Sequence, residues 1–125
     1  MNGNKFLLDT NAIIALLTGH HTLDEMLKDA DWIGVSVISV IEFFSFPDLS
    51  LKDRLLFTNF IKRIEVIELT GSDLPLLEVL GNYKIEYKLK LPDAVIAGSA
   101  INLKAILISN DTDFSRIKQL SVLTF

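Results

Sequence analysis

The chain has 125 residues, half of them apolar, with a mean hydropathy of +0.39, no cysteine and a formal net charge of −4. That length suits a single domain, residues 1–125, built on one core. Having no cysteine excludes a disulfide framework and a thiolate metal site, in keeping with a reducing cytoplasm, and the negative charge argues mildly against nucleic acid as a partner.

In chain order, Phe6–Leu8 reads as a short buried strand, followed by a helix from Ala12 to about Leu17 that stops at Gly19. A second helix is expected over Leu23–Ala30, with Thr22 as its N-cap and Glu25 completing a capping box. Adjacent His20 and His21 after that glycine read as surface residues. Trp32–Val35 predicts a strand and Ser36–Phe44 a helix, broken at Pro47 and Asp48. Ser50 caps the next helix, in which Leu51, Leu55, Phe57 or Thr58, and Ile61 recur near a 3.6-residue period. Ile64–Leu69 fits a strand. Asp73 to about Lys88 fits a long helix that tolerates Pro75 in its first turn. Pro92 opens a helix over Asp93–Asn102 that is apolar on nearly every side and therefore central, and Ile106–Ile108 and Val122–Leu123 supply the last strands. Short apolar strands alternating with helices predict an α/β fold with a mostly parallel sheet covered on both faces. The three apolar residues between Lys5 and Asp9 are too few for a secretory h-region, and the longest apolar run, Trp32–Phe46, is interrupted by Glu42 and falls short of a membrane span.

Charge is distributed unevenly. Residues 20–48 set six acids against Lys28, whereas 51–63 set Lys52, Arg54, Lys62 and Arg63 against Asp53, and 84–90 set Lys84, Lys88 and Lys90 against Glu86. Basic groups gathered in this way can guide a nucleic-acid strand along an acidic protein, although solvated helix faces are the more economical reading of both clusters. Tyr83 and Tyr87 beside these lysines could stack on bases, although packing explains both rings. Phe43, Phe44, Phe46, Phe57 and Phe60 suit a core, and the excess of apolar residues leaves room for a partner groove.

Four carboxylates stand beside apolar sequence: Asp9 after Phe6–Leu8, Glu42 between Ile41 and Phe43, Asp93 after Leu91-Pro92, and Asp111 after Ile106–Ile108. Taken singly, three have structural readings as caps or turn residues; Glu42 has a poor one. No Lys or Arg neighbours Asp9 or Glu42, and burying such groups is costly without a positive partner. In a parallel α/β sheet, Asp9 and Asp111 would fall beyond the carboxyl ends of strands, where ligands gather. Oxygen ligands without His or Cys favour Mg²⁺ or Mn²⁺ over zinc, and such ions activate water for in-line attack on a phosphate. Ser36, Ser39 and Ser45 have no base beside them, so no serine nucleophile is assigned.

Four blocks carry a resemblance: Leu7-Leu8-Asp9-Thr10-Asn11, Val40-Ile41-Glu42, Leu91 to Ala97 with its Leu-Pro-Asp-Ala opening, and Ile108-Ser109-Asn110-Asp111-Thr112-Asp113-Phe114. Together they resemble the PIN domain family, and the compact length resembles the VapC-type toxins of toxin–antitoxin pairs. The resemblance implies a three-layer α/β/α fold and a Mg²⁺- or Mn²⁺-dependent endoribonuclease held in check by a small antitoxin protein, often as a homodimer. It implies that Asp9, Glu42, Asp93 and Asp111 bind the metal, with Asp113 sharing or replacing the role of Asp111. Thr10, Asn11 and Ser109 would orient these acids, and Lys84, Lys88, Lys90, Arg116 and Lys118 would guide the RNA. Asn110 stands where the family often has a basic residue. Two other readings stay open: a receiver or phosphatase domain, for which Asp9-Thr10-Asn11 lacks the expected second acid, and a non-catalytic module of the same fold that binds protein.

Overall fold

The computed structural model describes residues 4–125; Met1–Gly3 lie outside it. Five strands, β1 (Lys5–Leu8), β2 (Trp32–Ser36), β3 (Glu65–Ile67), β4 (Ile106–Ile108) and β5 (Val122–Leu123), form one sheet in the order β3-β2-β1-β4-β5, with every pairing parallel. Six helices connect them: α1 (Thr10–Leu17), α2 (His21–Leu27), α3 (Val37–Phe44), α4 (Leu51–Ile61), α5 (Leu74–Glu86) and α6 (Leu91–Leu103). The chain builds outward from β1 to β3, then returns to lay β4 against the other side of β1. That reversal makes the crevice between β1 and β4 the topological switch point.

Alternation along β1 assigns the two faces. Phe6 and Leu8 turn to one side, where Ile13, Leu23, Phe43, Phe57 and Phe60 of α1–α4 cover them. Leu7 turns to the other, against Ala94, Ala97 and Ala100 of α6 and against Phe114 and Ile117. Phe43 and Phe57 stack with ring centroids 3.9 Å apart, which locks α3 to α4. Helix α6 is buried from Ala94 through Ala100, as its lack of a polar face predicts. No helix among the described residues is long and apolar enough to cross a membrane.

Most helix starts carry the cap that their sequence offers. Ser50 and Asp53 form a reciprocal capping box at α4, and Asp73 accepts the Leu76 N–H at α5. Ser36, the last residue of β2, caps α3. Helix α2 departs from expectation. It begins at His21, and the cap is the Nδ1 of His20, which accepts the Leu23 N–H at 3.2 Å, while Thr22 is exposed inside the first turn. Gly19, in the left-handed region at φ +85, turns the chain after α1 so that the imidazole reaches this position. His20 is thus half-buried, with its ring edge-on to Phe125, and not a free surface residue.

Two other expectations change. The third strand is only Glu65–Ile67, the three residues that pair with Gly34, Val35 and Ser36 of β2. Helix α4 is rotated away from the expected stripe. Leu51 and Leu55 face solvent, and Phe57 and Phe60 enter the core, because the larger rings bury more apolar area per residue ordered.

Helices α5 and α6 pack closely at Gly98, where a Cβ would collide with the buried Leu80 side chain. Gly98→Val is therefore expected to destabilise the fold by about 1–3 kcal/mol, overpacking outweighing the small gain in helix propensity. A lower midpoint in urea at unchanged slope would report it; an unchanged or higher midpoint would refute the close packing.

Candidate active site

Each acid reaches the switch point by a different route. Asp9 follows β1 and caps α1, its Oδ1 accepting the Thr10 N–H at 2.8 Å. Asp111 follows β4 and caps the 3₁₀ turn Thr112–Arg116, its Oδ1 accepting the Asp113 N–H at 2.9 Å. Asp93 is the third residue of α6, in the first turn, where the helix dipole favours an anion. Glu42 projects from α3. Asp9, Glu42, Asp93 and Asp111 line one solvent-open depression of about 350 Å³, together with Thr10, Asn11, Ile14, Ser45 and Phe46. Asp113 sits at its margin: it does not line the depression, yet one carboxylate oxygen each of Asp93, Asp111 and Asp113 lie within 4.8 Å of one another. The cap readings and the clustered-acid reading thus hold together, since a cap at a strand's carboxyl end places its carboxylate in the crevice.

Small polar side chains hold the acids in place. Ser109, fully buried, donates its Oγ–H to Asp9 Oδ2 at 2.7 Å and accepts the Asp111 N–H at 3.0 Å, so one hydroxyl ties the first acid to the last. Thr10 Oγ1 donates to Glu42 Oε1 at 2.9 Å. The Asn11 amide donates to Asp9 Oδ2 and Ser109 Oγ, at 3.5 and 3.4 Å, and its Oδ1 accepts the Asn110 N–H at 3.3 Å.

The charge is not balanced. Among the described residues the sole salt bridge is the exposed pair Arg116–Asp113 at 3.9 Å, and neither Asp9, Glu42, Asp93 nor Asp111 has a Lys or Arg partner. Burial raises the Asp9 carboxyl above its ordinary value, aided by the charges of Glu42 and Asp111 and opposed by the bonds from Ser109 and Thr10. Asp93 is pushed up to about 6, first by desolvation and then by the charges of Asp111, Asp9, Asp113 and Glu42. Such a donor set fits a hard divalent cation. All candidate ligand atoms are carboxylate oxygens, and the spacing of up to 4.8 Å among those of Asp93, Asp111 and Asp113 is within a small side-chain rotation of the roughly 4 Å across an octahedral Mg²⁺ site.

Of the residues expected to guide RNA, Lys90 is the N-cap residue of α6, one turn before Asp93, and Lys84 and Lys88 lie at the end of α5. Arg116 and Lys118 follow Asp113, and all five side chains are exposed. Tyr83 and Tyr87 are half-buried, with centroids 6.1 Å apart. Ile14, Ser45 and Phe46 complete the depression without a distinctive sequence signal. Helical spacing offers a partial one, since Ser45 follows Glu42 by three residues and Ile14 follows Asn11 by three.

A model of the PIN domain family matches residues 6–120. The chain belongs to the PIN domain family. The solved structures similar to this PIN domain include a toxin–antitoxin complex from Klebsiella pneumoniae, 27% identical with a TM-score of 0.77, covering 94% of this chain and 95% of that one. VapBC2 from Rickettsia felis bound to a promoter DNA fragment is 22% identical with a TM-score of 0.77, covering 95% and 97%. VapBC-1 from nontypeable Haemophilus influenzae is 22% identical with a TM-score of 0.76, covering 95% and 96%. No curated protein sequence matches the chain significantly.

Stability of the metal-free PIN domain should carry the signature of Asp93. Its folded carboxyl titrates near 6 against 3.8 in the ordinary state, so between those values the folded chain binds more protons than the unfolded one. This group's contribution is fully present below about pH 4 and is lost as pH rises through about 6. Linkage alone would make that about 3 kcal/mol; screening at the half-exposed carboxylate leaves about 1 kcal/mol. In EDTA, Asp93→Asn should therefore raise the Tm at pH 7.5 and flatten the fall in Tm between pH 5 and 7.5. A lower Tm at pH 7.5 would contradict the charge assignment.

Proposed function

We propose that this PIN domain is a Mg²⁺- or Mn²⁺-dependent endoribonuclease, the toxin of a cytoplasmic toxin–antitoxin pair. The observation that carries the reading is the meeting of Asp9, Glu42, Asp93 and Asp111, from four separate segments, in one depression without a cationic side chain. Asp9, Glu42, Asp93 and Asp111 would hold the metal, with Asp113, whose carboxylate lies close to those of Asp93 and Asp111, sharing or replacing the role of Asp111. When bound, Mg²⁺ or Mn²⁺ neutralises charge on a phosphate and brings the pKa of a coordinated water towards neutrality.

The chain's own groups orient the acids. Ser109 aims Asp9 by donating to its Oδ2 and partly offsets the burial that raises its pKa, and Thr10 aims Glu42. Hydrolysis would then proceed by direct displacement by water, without a covalent intermediate. Lys84, Lys88, Lys90, Arg116 and Lys118 flank the acids in the chain and supply the positive charge that a phosphate backbone needs.

An antitoxin partner is supported by the fold shared with toxin–antitoxin complexes. An apolar groove of about 400 Å³, lined by Leu17, Phe43, Leu49 and Leu56, shares Ile14 and Phe46 with the acidic depression, so a protein seated there would reach the acids.

Purified protein should cleave single-stranded RNA with Mg²⁺ or Mn²⁺, lose activity in EDTA and leave no 2′,3′-cyclic phosphate. Asp9→Asn or Asp93→Asn should lower kcat by about a hundredfold or more with little change in fold. Full activity in EDTA or in Asp93→Asn would end the proposal. Millimolar Mn²⁺ should also raise the Tm of the wild type by several degrees, and much less that of Asp93→Asn. Lys90→Ala should weaken RNA binding across sequences and reduce the steepness of its salt dependence; an unchanged salt slope would remove Lys90 from the RNA path.

A further inference from the structure

The β4–β5 ladder advances by alternate residues and then breaks off. Leu107 N–H donates to Ser121 O at 2.9 Å and Ser109 N–H to Leu123 O at 3.1 Å. The next rung in a parallel ladder would join Asp111 N–H to Phe125 O. That rung is missing from the main chain: the Asp111 N–H turns instead to Ser109 Oγ at 3.0 Å. Phe125 nevertheless has both main-chain groups satisfied, by one side chain. Asn110 Oδ1 accepts the Phe125 N–H at 2.8 Å, and Asn110 Nδ2 donates to the Phe125 carbonyl oxygen at 2.9 Å. The Asn110 carboxamide, itself a peptide group in chemistry, stands in for the strand at the point where the strand leaves.

The geometry points to Asn110 as a positioning residue for Asp111. Its side chain completes the edge of the sheet so that the backbone at 109–111 can swing out and carry the Asp111 carboxylate to Asp9 and Asp93. One further contact anchors the arrangement: Asn110 N–H donates to Asn11 Oδ1 at 3.3 Å. Without the carboxamide, Phe125 N–H and C=O lose their partners, and the Phe125 carbonyl competes for the Asp111 N–H. Capture of that N–H would straighten the loop into the ladder and withdraw Asp111 from the depression. A basic side chain at 110 could not do this work, since it has no acceptor for the Phe125 N–H.

The consequence for metal binding rests on the function proposed above, so the test has one arm that does not. In the full chain, amide exchange at Asp111, followed by NMR without metal, should be about tenfold faster in Asn110→Ala than in wild type, with Leu107 in the ladder interior unchanged. Phe125→Pro, which removes the N–H that Asn110 accepts, should reproduce the effect. Phe125→Ala, which keeps that N–H, should not. The double variant Asn110→Ala/Phe125→Pro should be no looser at Asp111 than either single variant, the non-additivity expected of two halves of one contact. Unchanged Asp111 exchange in Asn110→Ala, or equal loosening by Phe125→Ala and Phe125→Pro, would overturn the positioning role.

In the second arm, the Mn²⁺ concentration at half-maximal thermal shift should rise several-fold in Asn110→Ala and Phe125→Pro, and cleavage should lose kcat at the wild-type KM. A wild type with no Mn²⁺ shift, beside a loosened Asp111 in Asn110→Ala, would defeat the nuclease reading and leave the positioning role standing. A Mn²⁺ shift of equal midpoint in wild type and Asn110→Ala would do the reverse.

Discussion

Uncompensated negative charge at the carboxyl edge of a parallel sheet is the constraint around which this molecule is arranged. Carboxylates meet there, burial and mutual repulsion hold the Asp93 proton up to about 6, and among the described residues no Lys or Arg pairs with Asp9, Glu42, Asp93 or Asp111. A fold concerned only with its own stability would gain by replacing one of these acids with an amide. Retaining them makes sense when a cation completes the site, because the same repulsion that weakens the metal-free fold then becomes metal affinity.

The surrounding structure makes that concentration of charge tolerable. Helix starts at α1, α6 and the 3₁₀ turn each present N–H dipoles to an acid. Ser109 bridges Asp9 and the Asp111 backbone, and Thr10 restrains Glu42. The large rings of α3 and α4 and the small residues of α6 clamp the sheet from both faces, so the strands that lead into Asp9 and Ser109 have little freedom to move apart. Rigidity at the switch point is what turns four distant acids into one site.

Much of this could be read from the chain because local chemistry and global fold agree. The apolar triplets before Asp9 and Asp111, the caps Ser50 and Asp73, and the all-apolar stretch after Pro92 each had a single structural outcome. That Asp9 and Asp111 would line the crevice was legible because an acid after a buried strand has few other places to go. Legibility failed where side chains compete for one role. Thr22 is the better N-cap by composition, but the turn at Gly19 brings His20 Nδ1 to Leu23 first. Leu51 and Leu55 have the right period for a core stripe, but Phe57 and Phe60 rotate α4 away from them.

Composition and pattern by themselves determined the fold class, the parallel strands and the acidic character of the crevice, since these depend on periodicity and on residues adjacent in sequence. Only the tertiary structure decided that Asp113 joins Asp93 and Asp111, that Ser109 serves two acids at once, and that Asn110 stands in for a strand beside Phe125. Those outcomes depend on distances between segments up to 100 residues apart, set by sheet register and helix rotation, which no local pattern encodes.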